Sequence, residues 1–469
     1  MLQVTSNLIM LERGADELLL VNSYEMRPLY VKRGRSRFKR IIAAAGQPRT
    51  LEDLASTFPN ETALIGVLRD YRILVDPSSV ERAEYFDVAS PDVQPDGKDR
   101  VTLYLLLGES CNLACVYCLN GSGSYDKSGH AAMSEGVASQ SIEMCLGQLR
   151  PGGVLEIAFF GGEPLMHWDV VKRTILHCEN TLKPAHPEKK IRYNLTSNLT
   201  IKTPELIEWV KRYDITVVCE VDGPPEIHNR CRPMRGGGTS HAQTARTISE
   251  LVQAGVKITL RATITAANDA CLEGVAEHHT ELGAASSLFV PVRPINSDKE
   301  FFPDEILPNP DNIIAAALKL RRTGKGSKRN LFPFNDFMAE IHPGERQLFA
   351  CGAPHGMTFV VRVNGDIYPC IYLVGQERYR IGNVATDSLD LRPLDAMRTA
   401  LHVDSREDCR ACAWRYACGG GCPVLYLARQ NGAAHSPKVV EYSHGISCHL
   451  SQAIIADMLW ELADRARSS

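Results

Sequence analysis

Between Val101 and about Asn296 the chain alternates short apolar runs with amphipathic segments. The runs are VTLYLLL (101–107), VLEIAFFG (154–161), IRYNLTS (191–197), ITVVCEVDG (215–223), KITLRATIT (257–265) and SLFVPVR (287–293). Ser134–Leu149, Pro204–Tyr213 and Ala242–Ala254 lie between them and carry apolar residues at helical spacing. A strand that is apolar at nearly every position has both faces covered, the condition of a parallel sheet under helices. Six β/α units are therefore predicted, as a partial barrel or an open sheet. Chemistry in such sheets gathers at the C-terminal ends of the strands.

Residues 1–85 follow a different rhythm. Strand-like runs at Leu18–Ser23 and Leu29–Val31 precede three short helical patterns, near Ser36–Ala45, Leu51–Phe58 and Glu61–Tyr71. Thr50, three residues before Asp53, can cap the middle helix. This order predicts a small winged-helix-like module, separable from the rest. A polar stretch rich in Asp, Pro and Ser, roughly Pro77–Arg100, comes next, and 86–100 is read as a linker. The β/α region is assigned to 101–330. From about Phe334 the alternation is lost and Cys and Gly become frequent, which sets 331–469 apart.

Composition narrows the class. A chain of 469 residues, 44% apolar and 23% charged, suits a soluble globular protein of two or three domains. Its net charge of −3 argues against a general nucleic-acid binder. No run of about 18 apolar residues offers a membrane span. The opening MLQVTSNLIMLERGADELLL lacks the basic, apolar and small-residue order of a secretory signal, so a cytoplasmic protein is expected. Of fifteen cysteines, ten fall into two clusters. In a reducing compartment such clusters point to metal ligation or catalysis rather than disulfides.

The first cluster directly follows the first run. In GESCNLACVYCLN, Cys111, Cys115 and Cys118 are spaced C-x3-C-x2-C. Three thiolates at a strand end can hold three corners of an iron–sulfur cube and leave one iron open. A structural zinc site takes four ligands, and no nearby His completes one. The motif resembles the hallmark of the radical S-adenosylmethionine (SAM) superfamily, with Tyr117 at its aromatic position. That resemblance implies a [4Fe–4S] cluster whose open iron binds SAM. It further implies cleavage of SAM to a 5′-deoxyadenosyl radical that abstracts hydrogen from an unactivated C–H, the protein supplying orientation. An external electron donor of flavodoxin or ferredoxin type goes with this chemistry.

Later run ends extend the resemblance. Gly161, Gly162, Glu163 and Pro164 stand where the superfamily has GGEP. There the glycines let backbone approach the ligand, and Glu163 would pair with the SAM ammonium. Ser197 and Asn198 match ribose-contacting positions. The segment VDGPPEIHNRCR is similar to the superfamily's DGP-x-x-HD-x-x-R. Arg232 then falls where an arginine meets the SAM carboxylate, and Asn229 replaces the usual aspartate. Arg261, on the fifth run, is either part of the site or an edge salt bridge.

In the second cluster, Cys351, Gly365 and Cys370 form C-x13-G-x4-C. Cys409, Cys412, Cys418 and Cys422 form C-x2-C-x5-C-x3-C, and Cys448 follows. C-x2-C alone suits zinc equally well. The whole pattern resembles the SPASM extension of radical SAM enzymes, which carries two auxiliary [4Fe–4S] clusters and makes three in all. Over about 101–455 the resemblance implies Cys409, Cys412, Cys418 and Cys448 around an outer cluster. Cys351, Cys370 and Cys422 would hold an inner one nearer SAM. The inner set is one sulfur short, a place open to a substrate thiolate or to an Asp, His or water. Cys145, Cys178, Cys219, Cys231 and Cys271 are expected to pack as small apolar side chains.

Lys32, Arg33, Arg35, Arg37, Lys39 and Arg40 place six cations in nine residues. Such a run is a solvated face, a DNA-binding surface or a surface for an acidic peptide, and the acidic overall balance favours the peptide. Residues 1–85 are similar in length and element order to the domain with which SPASM enzymes take a leader peptide as an added strand. The fold expected is α/β: a partial (β/α)6 radical SAM barrel, an N-terminal winged-helix-like peptide-recognition domain and a C-terminal Cys-rich SPASM domain. The layout most resembles thioether-forming peptide maturases, above all those acting on the small subunit of quinohemoprotein amine dehydrogenase. The function implied is the joining of Cys sulfur to carbon in a Cys-containing peptide or small protein. Formylglycine formation, as in anaerobic sulfatase maturases, and a zinc-binding winged-helix adaptor are the alternatives. No residue is singled out as a catalytic acid or base.

Overall fold

The computed structural model describes residues 1–79, 97–119, 132–294, 303–322, 328–331, 345–386, 389–430 and 436–468. At the N-terminus, β1 (Gln3–Val4) pairs antiparallel with β5 (Leu74–Val75). Between them, β2 (Leu8–Arg13), β3 (Glu17–Asn22) and β4 (Arg27–Val31) form an antiparallel sheet. Helices follow at Arg35–Ala44, Leu51–Thr57 and Thr62–Asp70, close to the predicted bounds. Thr50 caps the second of them by accepting the Asp53 N–H at 3.0 Å.

Successive residues of a strand face opposite ways, and β3 uses both of its faces. Leu18 and Leu20 pack with Phe38, Ile41, Leu54 and Ile65 of the module's own core. Leu19 and Val21, with Ile9 and Met26, pack instead on Ala417, Ile455, Leu459 and Ala463 of the C-terminal region. Polar contacts reinforce this joint. Arg13 grips both oxygens of Asp464 at 2.8 and 2.6 Å, and Ser23 Oγ donates to the Ala413 carbonyl. The rings of Tyr24 and Tyr416 meet edge to face at 5.1 Å. The module expected to be separable is thus docked through one whole sheet face.

The six predicted runs become β6 (Lys98–Leu106), β7 (Leu149–Phe160), β8 (Lys190–Ser197), β9 (Thr216–Glu220), β10 (Ile258–Ile264) and β11 (Ser286–Pro291). They lie side by side in chain order, every pair parallel. Parallel crossovers are right-handed almost without exception, so strands joined in chain order place their connecting helices on one face, the topology of a partial barrel rather than of a doubly wound sheet. Leu103, Leu105, Ile157, Phe159, Leu195 and Val217 lie in the main core with Ile142, Val171 and Ile248 from the covering helices.

Three strands complete the sheet beyond expectation: β12 (Lys328–Leu331), β13 (Thr358–Val361) and β14 (Ile367–Tyr368). β13 runs parallel to β6, and β14 returns antiparallel to β13. The Cys-rich region therefore grows out of the barrel sheet. β6 also begins at Lys98, inside the stretch read as linker. Its polar start is explained by ion pairing of Asp99 with Arg150 and Arg100 with Glu156 across to β7. Among the described residues no helix is long and apolar enough to cross a membrane.

Candidate functional site

A cavity opens at the C-terminal ends of β6 to β11, with about 950 Å³ of atom-free space counting the part open to solvent. Cys111, Cys115 and Cys118 line it together with Tyr117, Glu163, Ser197, Asn198 and Arg232. The cysteine loop is strapped from two sides. Gly108 O and Ser110 O accept the N–H groups of Gly162 and Glu163 at 2.9 and 3.0 Å. Pro233 O and Cys231 O accept those of Ala114 and Val116 at 2.8 and 3.0 Å. A Cβ on Gly162 would stand 1.9 Å from Ser110 O, and one on Gly161 (φ +128°) 2.5 Å from Gly108 O. The close approach these glycines permit is to the cysteine loop's backbone, and both also line the cavity.

Glu163, 1% exposed, ties the second strand end to the third. Oε1 accepts from Leu165 N at 2.9 Å and Ser197 Oγ at 2.7 Å, and Oε2 from Asn198 N at 2.9 Å. Burial raises its pKa, and these three donors oppose the rise. Pro164 is buried and opens the 3-10 turn Pro164–His167. Asn198 Nδ2 donates to Asn112 Oδ1 at 3.0 Å and reaches Cys111 Sγ at 3.8 Å.

Arg232 is 5% exposed and anchored on acids. Its Nε donates to Asp222 Oδ2 at 2.9 Å, its Nη2 to Glu220 Oε2 at 2.5 Å, and its Nη1 approaches Cys115 Sγ at 3.8 Å. The guanidinium lies 5.1 Å over the Tyr117 ring, whose hydroxyl donates to Asp222. Arg261 both lines the cavity and pairs with Glu220 at 2.9 Å, so its two readings hold together. Glu220 escaped the sequence reading, and Asp222 was seen there only as the first residue of the DGP motif; the further signal was a pair of acids ending an otherwise apolar strand. Asn229 Oδ1 accepts from Ser240 N and His241 N at 3.1 and 3.0 Å, at the start of the helix His241–Gln253. A neutral amide serves there.

The C-terminal cysteines sort into two groups by their neighbours. Burial pushes the Cys370 thiol up to about 12, and Cys351 and Cys422 add to the rise. Desolvation likewise pushes the partly buried Cys351 up to about 12, with Cys422 beside it. Cys418, also raised to about 12 by burial, has Cys412 and Cys448 for neighbours, and Cys409 has Cys418. Tyr372 and Arg293 line the cavity and neighbour the Cys351, Cys370 and Cys422 trio. Cys145, Cys178, Cys219 and Cys231 are buried, as packing requires, but Cys271 is exposed. It sits at the solvent-facing end of a 3-10 turn, Asp269–Cys271, where the apolar reading does not apply.

These donors suit clusters. Thiols kept neutral by burial lose their protons on metal binding. In a cube each thiolate takes its own iron.

Comparison with known proteins agrees with this geometry. The model of the radical SAM superfamily matches residues 105–278, the stretch that carries the first cysteine loop and its strand ends. The model of the SPASM iron–sulfur cluster-binding domain matches 351–413. The chain is a radical SAM/SPASM protein. The radical SAM cyclopropyl synthase TigE of Paramaledivibacter caminithermalis is 28% identical over 28% of this chain; the match spans only 29% of that protein. A serine-type anaerobic sulfatase-maturating enzyme of Bacteroides thetaiotaomicron is 23% identical over 71% of this chain and 85% of its own length. Streptococcus suis SuiB, solved bound to precursor peptide SuiA, is alike in fold, with a TM-score of 0.54 at 16% identity over 91% of this chain and 97% of that one.

Proposed function

We propose that this protein modifies a Cys-containing peptide or small protein by joining a Cys sulfur to carbon as an intrapeptidyl thioether, using SAM and three [4Fe–4S] clusters. One observation carries the reading. The trio Cys351, Cys370 and Cys422, a sulfur short of four, neighbours Arg293 and Tyr372 on the wall of the cavity that Cys111, Cys115 and Cys118 also line. Iron prefers soft sulfur ligands, so a substrate thiol suits the missing place.

Bound beside Cys111, Cys115 and Cys118, SAM and a cluster supply hydrogen abstraction from an unactivated carbon. Gly161, Gly162, Glu163, Pro164, Ser197, Asn198, Tyr117 and Arg232 form the wall for SAM. Their mutual hydrogen bonds fix that wall in advance, which favours orientation. Cys409, Cys412, Cys418 and Cys448 suit the outer cluster. A flavodoxin- or ferredoxin-like partner provides electrons.

Peptide recognition falls to the N-terminal sheet edge. Arg35 and Lys39 pair with Glu12, and Arg37 and Arg40 reach Glu61 at 3.7 Å. Six cations against two acids leave a positive surface suited to an acidic leader. That SuiB is solved bound to a precursor peptide, and that the sulfatase-maturating enzyme is named for maturing a protein, supports the same partner class.

Co-expression with a candidate Cys-containing small protein tests the reading by mass spectrometry. Loss of a pair of hydrogens together with one alkylatable thiol is expected for each cross-link. An aldehyde that reacts with hydrazide would replace thioether formation with formylglycine formation.

A further inference from the structure

Arg293 stands just beyond the end of β11 and is 3% exposed. Its Nη1 donates to the Pro291 carbonyl at 2.6 Å, which folds the side chain back over its own strand end. The backbone there is pinned twice. Val292 N donates to Ile264 O at 3.0 Å, and the Tyr442 hydroxyl donates to Val292 O at 2.7 Å. From this fixed base the guanidinium faces Cys422, Tyr372 and Tyr442, and Tyr372 packs in one cluster with Cys351, Cys370 and Cys422. Its charge also reaches Cys351 and Cys370. Arg293 lines the cavity of Cys111, Cys115 and Cys118 as well.

The other two cavity arginines are committed to the wall, Arg232 to Asp222 and Glu220 and Arg261 to Glu220. Arg293 directs its charge at sulfur. An arginine stays protonated at any working pH, so this is a permanent positive charge. Iron–sulfur potentials rise when positive charge and hydrogen bonds act on the cluster sulfurs, because both favour the reduced, more negative state.

We propose that Arg293 is a positioning residue for the inner cluster, its guanidinium on Cys422 raising that cluster's reduction potential so that it is reduced in preference to the same cluster without this charge. The step is a one-electron transfer from the external donor, which is oxidised as the cluster is reduced, with no bond or proton exchanged. This inference rests on Cys351, Cys370 and Cys422 being cluster ligands.

Redox titration of the full-length holoenzyme followed by paramagnetic resonance tests it, with iron content measured on every sample. Cys370→Ala identifies the inner signal and Cys412→Ala the outer one. For Arg293→Met the ratio of reduced to oxidised inner cluster at a fixed poise is expected to fall about tenfold, equal to about 59 mV for one electron. The outer signal stays in place, and Arg293→Lys recovers part of the shift. Should Arg293→Met lose iron, Arg293→Gln, which keeps a donor without the charge, gives the same readout. An unmoved inner potential in an iron-replete Met or Gln variant overturns the role of Arg293. Cys370→Ala with full iron content overturns the ligand reading itself.

Discussion

Glu163 and Asn198 meet through a carboxylate and a backbone N–H, 2.9 Å apart, at the ends of neighbouring strands β7 and β8. The carboxylate is spent on the protein's own frame: Leu165, Ser197 and Asn198 all donate to it. Asp222 plays the same part at the other side of the cavity, accepting from Arg232, Tyr117 and the Thr263 N–H. Buried acids here act as struts between strand ends.

Glu163→Gln turns an amide N–H₂ toward a backbone donor and strands one hydrogen bond in a dry site. Loss of about 1–3 kcal/mol in stability is expected, together with weaker SAM binding. Urea denaturation and SAM titration of the reconstituted protein measure the two effects. Wild-type values for both would remove Glu163 from the frame.

Cys115→Ala removes a thiol that Arg232 approaches at 3.8 Å. The seven cysteines of the C-terminal cluster lie on different segments. Iron should fall by about a third from roughly a dozen per chain, and 5′-deoxyadenosine formation should cease. Undiminished formation by the reduced variant sinks the assignment of the first loop.

Removing residues 1–79 uncovers Ile455, Leu459 and Ala463, which the module buries with Ile9, Leu19, Val21 and Met26. Cys418 borders the same contact. Aggregation, or loss of iron from the outer group, is expected rather than a clean loss of recognition. Met26→Asp, at a side chain 2% exposed, should cost about 2–4 kcal/mol. A soluble, iron-replete truncation would show that the joint is dispensable.

His228 is 1% exposed, and burial, aided by the nearby Arg232 charge, pulls its pKa down to about 2. The unfolded chain takes up that proton near pH 6.5 and the folded chain does not. Stability therefore falls as pH drops from 6.5 toward 2, by about 1.4 kcal/mol per pH unit for this group. His279, held near 4 by burial, adds the same sign between 6.5 and 4. Unfolding free energies from urea denaturation at roughly pH 7 and 5.5 should differ less for His228→Gln than for the wild type, by about 1 kcal/mol; equal differences refute the assignment.

Much of this molecule is readable from its sequence where one physical demand dominates. Both-face burial writes β6 to β11 as apolar runs, and thiols needed at fixed spacing write the cysteine motifs. Legibility fails where two demands overlap. β13 is four residues long, too short for a period to register. Lys98–Arg100 is polar because it starts a strand at an ion-paired edge, so it looks like linker. In β3 the run ELLLVN shows burial but not that half of it faces another part of the chain. Glu220 carries no motif signal beyond being an acid at a strand end, and the DGP motif marks Asp222 without saying what it holds; only the folded arrangement joins them to Arg232 and Arg261.

β13 lies in parallel register against β6, with Val360 opposite Tyr104. Cys111 follows β6 and Cys370 follows β14, the strand paired to β13, so both hang from one sheet through two adjoining hydrogen-bonded ladders. A joint between packed domains can breathe by fractions of an ångström. A ladder shifts only by whole residues, and a shift of one turns every side chain to the wrong face. The span between the two sulfur groups is thus counted in integers by the backbone. Loops around the cavity can be exchanged to grip different peptides while the reach from one group to the other stays the same.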